Sequence, residues 1–291
     1  MKTITLLNDQ ISLEMSEDFG GKLVSIKDDT GFEFLFQSPV ETYRTPKQGE
    51  AFADYDPSGL DECFPTIDEC QFADIHYPDH GDIWPVAWVH KKKDGILRSK
   101  VHSQSTGLLF RRQIQLVENT IHLEYSVENP SDSEKYYLWA QHGLLDLKED
   151  MQLLLPYPQS SALNVIDGED YPFDITALSK YPEGDCYKFY NRFPLERGSC
   201  EVLYPLHNRS LRFKFDPEKL PYLGVWITTG GFHGHRNLAI EPSNGFYDAV
   251  DRAVENGLKP IEVGQIHSWT IQIEVRKEDG DGRTQIQSTL K

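Results

Sequence analysis

The chain has 291 residues, of which 38% are hydrophobic and 12% aromatic, so it carries enough apolar surface to fold without a partner. Its 29 lysines and arginines are outnumbered by 46 aspartates and glutamates, which gives a net charge of −17 at pH 7. Such a surface repels phosphate backbones and anionic lipids, so neither nucleic acid nor a membrane is an expected partner.

Apolar residues alternate with polar ones along most of the chain, a pattern typical of strands with one buried face. Many of these runs are bounded by Gly, Pro, Asn or Asp. The predicted strand segments are Ile11 with Leu13 and Met15, Phe32 with Phe34 and Phe36, then 108–117, 121–127, 136–139, 211–215, 223–228 and 269–275. Glu118 and Asn119 separate two of these runs and predict an antiparallel hairpin.

Helical periodicity is scarce. Residues 246–256 have apolar residues at helical spacing and are followed by Gly257, so we expect one or two short helices in all. Because no linker and no alternation of strands with helices is present, the sequence predicts an all-β chain, one domain over 1–291, built as a large antiparallel β-sandwich or barrel. Residues 276–291, which include the acidic stretch 278–282, are expected to end the chain as a loose segment.

The chain is expected to be cytoplasmic. Its first residues lack the apolar stretch of a secretory signal, and no run approaches the length of a membrane helix. The four cysteines have no C-x-x-C spacing, so reduced thiols are expected rather than disulfides or a zinc site.

Three polar segments interrupt the strand pattern and contain the candidate site residues. The first joins 58–66 to 78–84 and places His80 in a turn, between an acid and Gly81. The second is 139–143, with His142 at the end of an apolar run, and the third is 230–248, which contains Glu241.

These residues suit acid–base chemistry. Glu241 follows three apolar residues, so partial burial would raise its pKa and make it a base or acid near neutral pH. His142 suits the same work, although a histidine in an apolar run is more often a core residue, and a Glu at a strand end often faces water. Indole rings that could stack on a sugar are Trp84, Trp88, Trp139 and Trp226, each of which could equally belong to the core.

A different arrangement remains open at this stage. His233, His235 and Glu241 are all odd-numbered and would share one face of a continuous strand, as metal ligands do in a small barrel. Arg236 and Asn237 resemble a turn that would break this face. A metal-dependent isomerase built on these three residues is kept as one hypothesis for the function.

Taken together, the segments resemble the aldose 1-epimerase (galactose mutarotase-like) family. The matching segments are 20–26, 61–65, 79–81, 141–142, 222–226, 240–242 and 246–248. The resemblance implies a large antiparallel β-sandwich that interconverts the α and β anomers of an aldose and needs no metal or organic cofactor.

The resemblance also implies roles for individual residues. His142 matches the general acid at the ring oxygen, Glu241 matches the base that takes the proton of the C1 hydroxyl, and His80 matches a histidine that hydrogen-bonds the sugar. The family's Asn-Arg segment before the first histidine is absent, and Glu241-Pro242-Ser243 replaces its Glu-Thr-Gln.

These departures leave the substrate open. Asp61 and Glu62 are candidates for binding hydroxyls, whereas Arg44 would serve a phosphate if the substrate were a hexose phosphate. The net charge favours a neutral sugar. The alternative to an enzyme is a sugar-binding or sugar-sensing protein on the same fold.

Overall fold

A computed structural model describes residues 1–37, 39, 44–55 and 58–277. The first strands along the chain are β1 (Thr3–Leu7), β2 (Ile11–Ser16), β3 (Leu23–Asp28), β4 (Leu60–Cys63), β5 (Cys70–Phe72), β6 (Ile75–Tyr77), β7 (Val89–Lys93), β8 (Ile96–His102), β9 (Leu109–Val117) and β10 (Thr120–Glu128). The remaining strands are β11 (Ala140–Asp146), β12 (Gln152–Leu154), β13 (Ala162–Asn164), β14 (Cys186–Asn191), β15 (Ser199–Tyr204), β16 (Arg209–Phe215), β17 (Tyr222–Thr229), β18 (Arg236–Ser243) and β19 (Ile266–Lys277).

Two large antiparallel sheets contain nearly all of these strands. The nine-stranded sheet has the order β1-β2-β3-β4-β11-β18-β17-β14-β13, and the eight-stranded sheet has the order β12-β15-β16-β19-β10-β9-β8-β7. Strands β5 and β6 form a separate hairpin. The predicted all-β antiparallel sandwich is confirmed.

One apolar cluster joins the two sheets. Leu13 and Leu223 of the nine-stranded sheet belong to the same buried cluster as Phe110, Ile114 and Ile271 of the eight-stranded sheet. Alternation explains this arrangement: in β10 every second residue is buried, so one face of the strand enters the core. Each such side chain contributes about 1.5–3 kcal/mol when fully buried, which makes this contact the main source of stability.

The hairpin prediction is confirmed, since Val117 pairs with Thr120 across Glu118 and Asn119. Two other predictions need correction. The Phe32–Phe36 pattern forms only single bridges, through Glu33 and Leu35, and the segment 136–139 precedes β11 rather than forming a strand. Neither segment forms the continuous row of backbone hydrogen bonds that defines a strand of a sheet.

Helical structure is short. The one α-helix of the described residues, α1, covers Val250–Glu255, so the residues at 246–249 that share its apolar spacing are not helical. Gly257 follows it with a φ of +96°, as its place beyond the helix end predicts. Single 3₁₀ turns occur at Phe52–Asp54, Gln159–Ser161, Leu178–Lys180 and Pro205–His207.

The predicted loose segment 276–291 begins too early, because residues 276 and 277 still belong to β19. The rest of that segment, 278–291, lies outside the described residues. Among the residues that the structure describes, no helix has the length and apolar character needed to cross a membrane.

Candidate active site

The centre of the nine-stranded sheet gathers polar side chains on one face. His142 of β11 pairs directly with Asp61 of β4, and on its other side β11 pairs with β18, where Leu144 lies opposite Ala239. Directly opposed residues share a face, and so do residues two apart along a strand. Asp61, His142 and Glu241 therefore lie side by side on the face turned away from the inter-sheet core.

His80 reaches the same place from the turn after β6. Its backbone has a φ of +55°, and its N–H donates to the carbonyl oxygen of Ile67 at 2.6 Å. Gly81 makes this turn possible, because a Cβ atom there would lie 1.9 Å from the carbonyl oxygen of Phe64. The imidazole rings of His80 and His142 lie 5.4 Å apart, edge to face.

His142 and Glu241 face each other without forming a hydrogen bond. Nε2 of His142 lies 3.9 Å from Oε1 of Glu241, and the Glu241 side chain is 1% exposed. Within the described residues, neither Glu241 Oε1 nor His142 Nδ1 has a hydrogen-bond partner, although both atoms are buried. Buried polar atoms normally have partners, and a ligand bound beside this pair could provide them.

Burial changes the proton affinities of this pair in opposite directions. It raises the pKa of Glu241 above its usual value, and the nearby ammonium of Lys188 only partly opposes this. It lowers the pKa of His142 well below its usual value, and the charges of His80, Lys188 and Lys22 add to that effect. These opposite shifts bring the pKa values of a potential base and a potential acid closer together, which suits proton transfer between each of them and a ligand.

Asp79 fixes the orientation of His80. One carboxylate oxygen lies 2.7 Å from Nδ1 of His80, and the other accepts the backbone N–H of Phe52 at 2.8 Å. Burial acts to raise the pKa of Asp79, but these hydrogen bonds outweigh it and hold the pKa below its usual value. With Nδ1 engaged, Nε2 of His80 is the ring nitrogen left for a ligand.

An aromatic wall, made of Phe52 and Trp84, borders the histidines. The Phe52 ring stacks on His80 at 4.2 Å and meets His142 edge-on at 5.7 Å. It also contacts Trp84 edge-on at 5.1 Å, so the predicted Trp84 lies one ring away from the histidines. Nothing in the local sequence pattern ties Phe52 to His80, so its place beside the histidines becomes visible only in the structure.

Two further predicted residues lie at the edge of this cluster. Arg44 donates to the carbonyl oxygen of Asp54 at 2.9 Å and lies over the ring of Tyr55, on the same loop as Phe52. Trp226 is half-buried on β17 opposite Ala239, and therefore shares the face of Glu241. Its ring packs against Phe232.

The structure does not bring Glu62 to the cluster, which corrects its assignment as a residue that binds hydroxyls. As the neighbour of Asp61 in β4, it points to the opposite face, into the core between the sheets. Its Oε1 accepts from Arg112 at 2.8 Å and from Tyr125 at 3.0 Å, and its Oε2 accepts from Trp139 at 2.9 Å. Both oxygens are therefore occupied by protein groups. Trp139 and Trp88 are likewise core residues.

The histidines of the metal hypothesis do not join Glu241. His233 Nε2 lies 3.1 Å from the carbonyl oxygen of Ala53, and its ring contacts that of His235, whereas Glu241 faces His142. The described part of the chain contains no group of three or more His, Cys, Asp or Glu side chains placed to hold a metal ion.

Two lysines that no sequence motif indicates complete the cluster. Lys22 lies 3.2 Å from Asp61, and Lys188 of β14 lies 2.9 Å from Glu241 and 3.0 Å from Asp248. Lys188 carries a local signal, since it alternates with the core residues Tyr187 and Phe189 and so belongs to the opposite face. The local pattern does not show that Glu241 lies on the same face as Lys188, because this depends on the order of the strands in the sheet.

Comparison with known proteins supports the fold. No protein-family model matches the chain, and no curated protein matches it. Among solved structures, the chain is similar to the Slr1438 protein of Synechocystis sp. PCC 6803, with a TM-score of 0.75, 17% identity and coverage of 95% of this chain and 96% of that one.

Two further structures are named after mutarotases. A galactose mutarotase related enzyme from Lactobacillus acidophilus has a TM-score of 0.67 at 14% identity and covers 96% of this chain and 99% of its own. A galactose mutarotase-like protein from Lactobacillus casei has a TM-score of 0.69 at 16% identity, with coverage of 94% and 100%. The chain therefore has the galactose mutarotase-like fold.

Proposed function

We propose that this chain, which has the galactose mutarotase-like fold, is an aldose 1-epimerase that interconverts the α and β anomers of a neutral aldohexose without a cofactor. The observation that carries the proposal is the facing pair of Glu241 Oε1 and His142 Nε2, 3.9 Å apart and joined by no hydrogen bond. A hemiacetal carries a hydroxyl and a ring oxygen on the same carbon. An acid and a base at this spacing suit those two oxygens.

The reaction follows from these two groups. Glu241 Oε1 accepts the proton of the C1 hydroxyl while protonated His142 gives its proton to the ring oxygen. The bond from C1 to the ring oxygen breaks, and the C1 oxygen becomes the carbonyl oxygen of the open-chain aldehyde. Rotation about the bond from C1 to C2 presents the other face of the aldehyde. The ring oxygen attacks that face, His142 takes back the proton, and Glu241 returns the other proton to the C1 oxygen.

The neighbouring residues support binding rather than proton transfer. Nδ1 of His80 is held by Asp79, which leaves Nε2 to form a hydrogen bond with the sugar. Asp61 is placed to accept from a sugar hydroxyl on the side of His142, and the rings of Phe52, Trp84 and Trp226 offer apolar surface to the C–H face of a sugar. The same proposal includes a cytoplasmic location and a small sugar as the binding partner.

Polarimetry tests this function. The decay of optical rotation is followed for freshly dissolved α-D-glucose and α-D-galactose, with and without catalytic amounts of protein, in a buffer that barely catalyses mutarotation. The proposal expects faster decay for at least one sugar. If no sugar, including a hexose 6-phosphate, equilibrates faster although calorimetry detects binding, the protein is a sugar-binding protein and the enzymatic proposal is wrong.

A further inference from the structure

Lys188 contacts the proposed catalytic base directly. Its ammonium group lies 2.9 Å from Oε2 of Glu241 and 3.0 Å from Oδ1 of Asp248, and its side chain is 11% exposed. The two carboxylates are buried as well, with side chains 1% and 7% exposed. An ammonium between two buried carboxylates offsets part of the free-energy cost of removing water from the three charges.

Asp248 is itself held in place. The hydroxyl of Tyr190 donates to its Oδ1, and the ammonium of Lys188 lies 5.6 Å from the centre of the Tyr190 ring. The neighbouring strand leaves room for that ring, because a Cβ atom at Gly224 would lie 2.8 Å from it. Asp248 and Tyr190 therefore contact the ammonium of Lys188 in addition to Glu241.

The contact divides the two oxygens of Glu241 between two tasks. Oε2 accepts the hydrogen bond from Lys188, so the carboxylate plane is fixed and Oε1 is left facing Nε2 of His142. Oε1 is the oxygen to which the proposed reaction delivers the proton. The orientation of the base thus depends on a residue that does not reach the reacting atoms.

We propose that Lys188, held by Asp248, is a positioning residue that keeps Glu241 ionised and directs its Oε1 to the anomeric hydroxyl. The inference rests on the proposed epimerase function. It also makes a claim about the charge state of Glu241 that is measurable whether or not the protein turns over a sugar.

Several other ionisable groups face Glu241 and share in its charge state. They are His142 on β11, Tyr190 beside Lys188 on β14, Cys63 on β4, His80 in the turn after β6, and Asp248 beyond β18. Of these, Asp248 disfavours the ionised form of Glu241 by repulsion, whereas His80 favours it. Lys188 is the group that donates a hydrogen bond to it.

The test is the pH profile of kcat/KM for Lys188→Met. Loss of a cation at this distance raises the pKa of a carboxylate by about 1–3 units, so the acidic limb moves to higher pH by that amount. The basic limb moves in the same direction, because the charge of Lys188 also lowers the pKa of His142. The whole bell-shaped profile therefore moves to higher pH. Loss of a merely structural residue would instead lower kcat/KM at every pH and leave both limbs at their original pH.

Three companion variants sharpen the test. Lys188→Arg keeps the charge and should restore both limbs to their original pH even if kcat falls. Lys214→Met removes a lysine from an exposed ion pair with Glu274 on the other sheet and should leave the profile unchanged. Asp248→Asn removes the repulsion on Glu241 but keeps a side-chain oxygen that can accept from Lys188, so it should move the acidic limb to lower pH, the direction opposite to Lys188→Met. This variant provides a test if the methionine variant fails to fold.

A second readout needs no activity. Protein labelled with ¹³C at the glutamate carboxyl groups is titrated by NMR, and the Glu241 signal is assigned from its absence in Glu241→Gln. The inference expects a higher titration midpoint for Glu241 in Lys188→Met and a lower one in Asp248→Asn. Unchanged midpoints in both variants would overturn it. If the midpoints move but the unsubstituted protein accelerates no mutarotation, the charge role of Lys188 stands and the proposed enzyme function falls.

Discussion

Glu62 and Glu241 make an instructive comparison, because both are buried glutamates in central strands of the same sheet. Each has a cation within hydrogen-bond distance, Arg112 at 2.8 Å for Glu62 and Lys188 at 2.9 Å for Glu241. Burial raises the pKa of both carboxyl groups. By burial and by pairing alone, the two residues could not be told apart.

They differ in what occupies their second oxygen. Oε2 of Glu62 accepts from the indole of Trp139, whereas Oε1 of Glu241 has no hydrogen-bond partner in the described residues. A buried carboxylate whose oxygens are all satisfied by the protein stabilises the packing of the two sheets. Oε1 of Glu241 is buried without such a donor among the described residues, so a ligand that donates a hydrogen bond to it would stabilise it.

The largest expected effect separates the two glutamates by activity. Glu241→Gln removes the proposed base and should lower kcat for mutarotation by a factor of about 10²–10⁴, the usual contribution of a positioned acid or base. His142→Ala should cost a similar factor. Glu62→Gln, measured by the same assay at a temperature where it is folded, should keep activity within about tenfold, since it touches no reacting group. Near-normal turnover in both Glu241→Gln and His142→Ala would exclude the proposed pair.

The second effect separates them by stability. Glu62→Gln leaves the guanidinium of Arg112 buried without its counter-charge, which should lower the free energy of unfolding by about 3–5 kcal/mol. Glu241→Gln should lower it by less, because Lys188 keeps Asp248 as a partner. Urea denaturation of both variants measures the difference, and an equal loss in the two would contradict the structural role given to Glu62.

The third effect is the pH dependence of the unsubstituted protein. Glu241 must be ionised, and burial raises its pKa above the usual 4.5, so activity should fall as the pH drops through that raised value. His142 must be protonated to act as an acid, and burial lowers its pKa below the usual 6.5, so activity should also fall as the pH rises through that lowered value. The kcat/KM profile should be a narrow bell between these limits. A plateau reaching pH 8 would mean that His142 acts as a neutral donor instead.

The smallest effect concerns Arg44. Its contacts are the carbonyl oxygen of Asp54 and the ring of Tyr55, at the exposed edge of the site. For a neutral sugar, Arg44→Ala should change KM by no more than about twofold, as is usual for an exposed residue outside a network. Kinetics with glucose and with glucose 6-phosphate measure this. A large loss confined to the phosphorylated sugar would identify Arg44 as a phosphate ligand and overturn the preference for a neutral substrate.

Strands could be predicted from the sequence where one of their faces is buried and the other is polar. The hairpin of β9 and β10 is an example, since its alternation also sets its register. In β11 the first six residues are all buried, because neighbours cover both faces of this central strand. Alternation therefore fails there, and His142 looked like the end of an apolar run rather than part of a strand.

Some residues of the candidate site could likewise be predicted from the sequence, and others could not. His80, His142 and Glu241 were selected from local composition and resemblance, and the structure places them together. Glu62 was misassigned although adjacent residues in a strand point to opposite faces, a rule that needs β4 to be recognised first. Lys188 and Phe52 were missed because their contacts with Glu241 and His80 depend on strand order and on a loop, neither of which local pattern encodes.

Anomer exchange at equilibrium is the most direct test of the difference between the two glutamates. Two-dimensional exchange NMR of glucose or galactose detects cross-peaks between the α and β H1 signals when a catalyst interconverts them within the mixing time. We expect cross-peaks with the unsubstituted protein and with Glu62→Gln, and none with Glu241→Gln at the same concentration. Cross-peaks of equal intensity with Glu241→Gln would contradict this expectation.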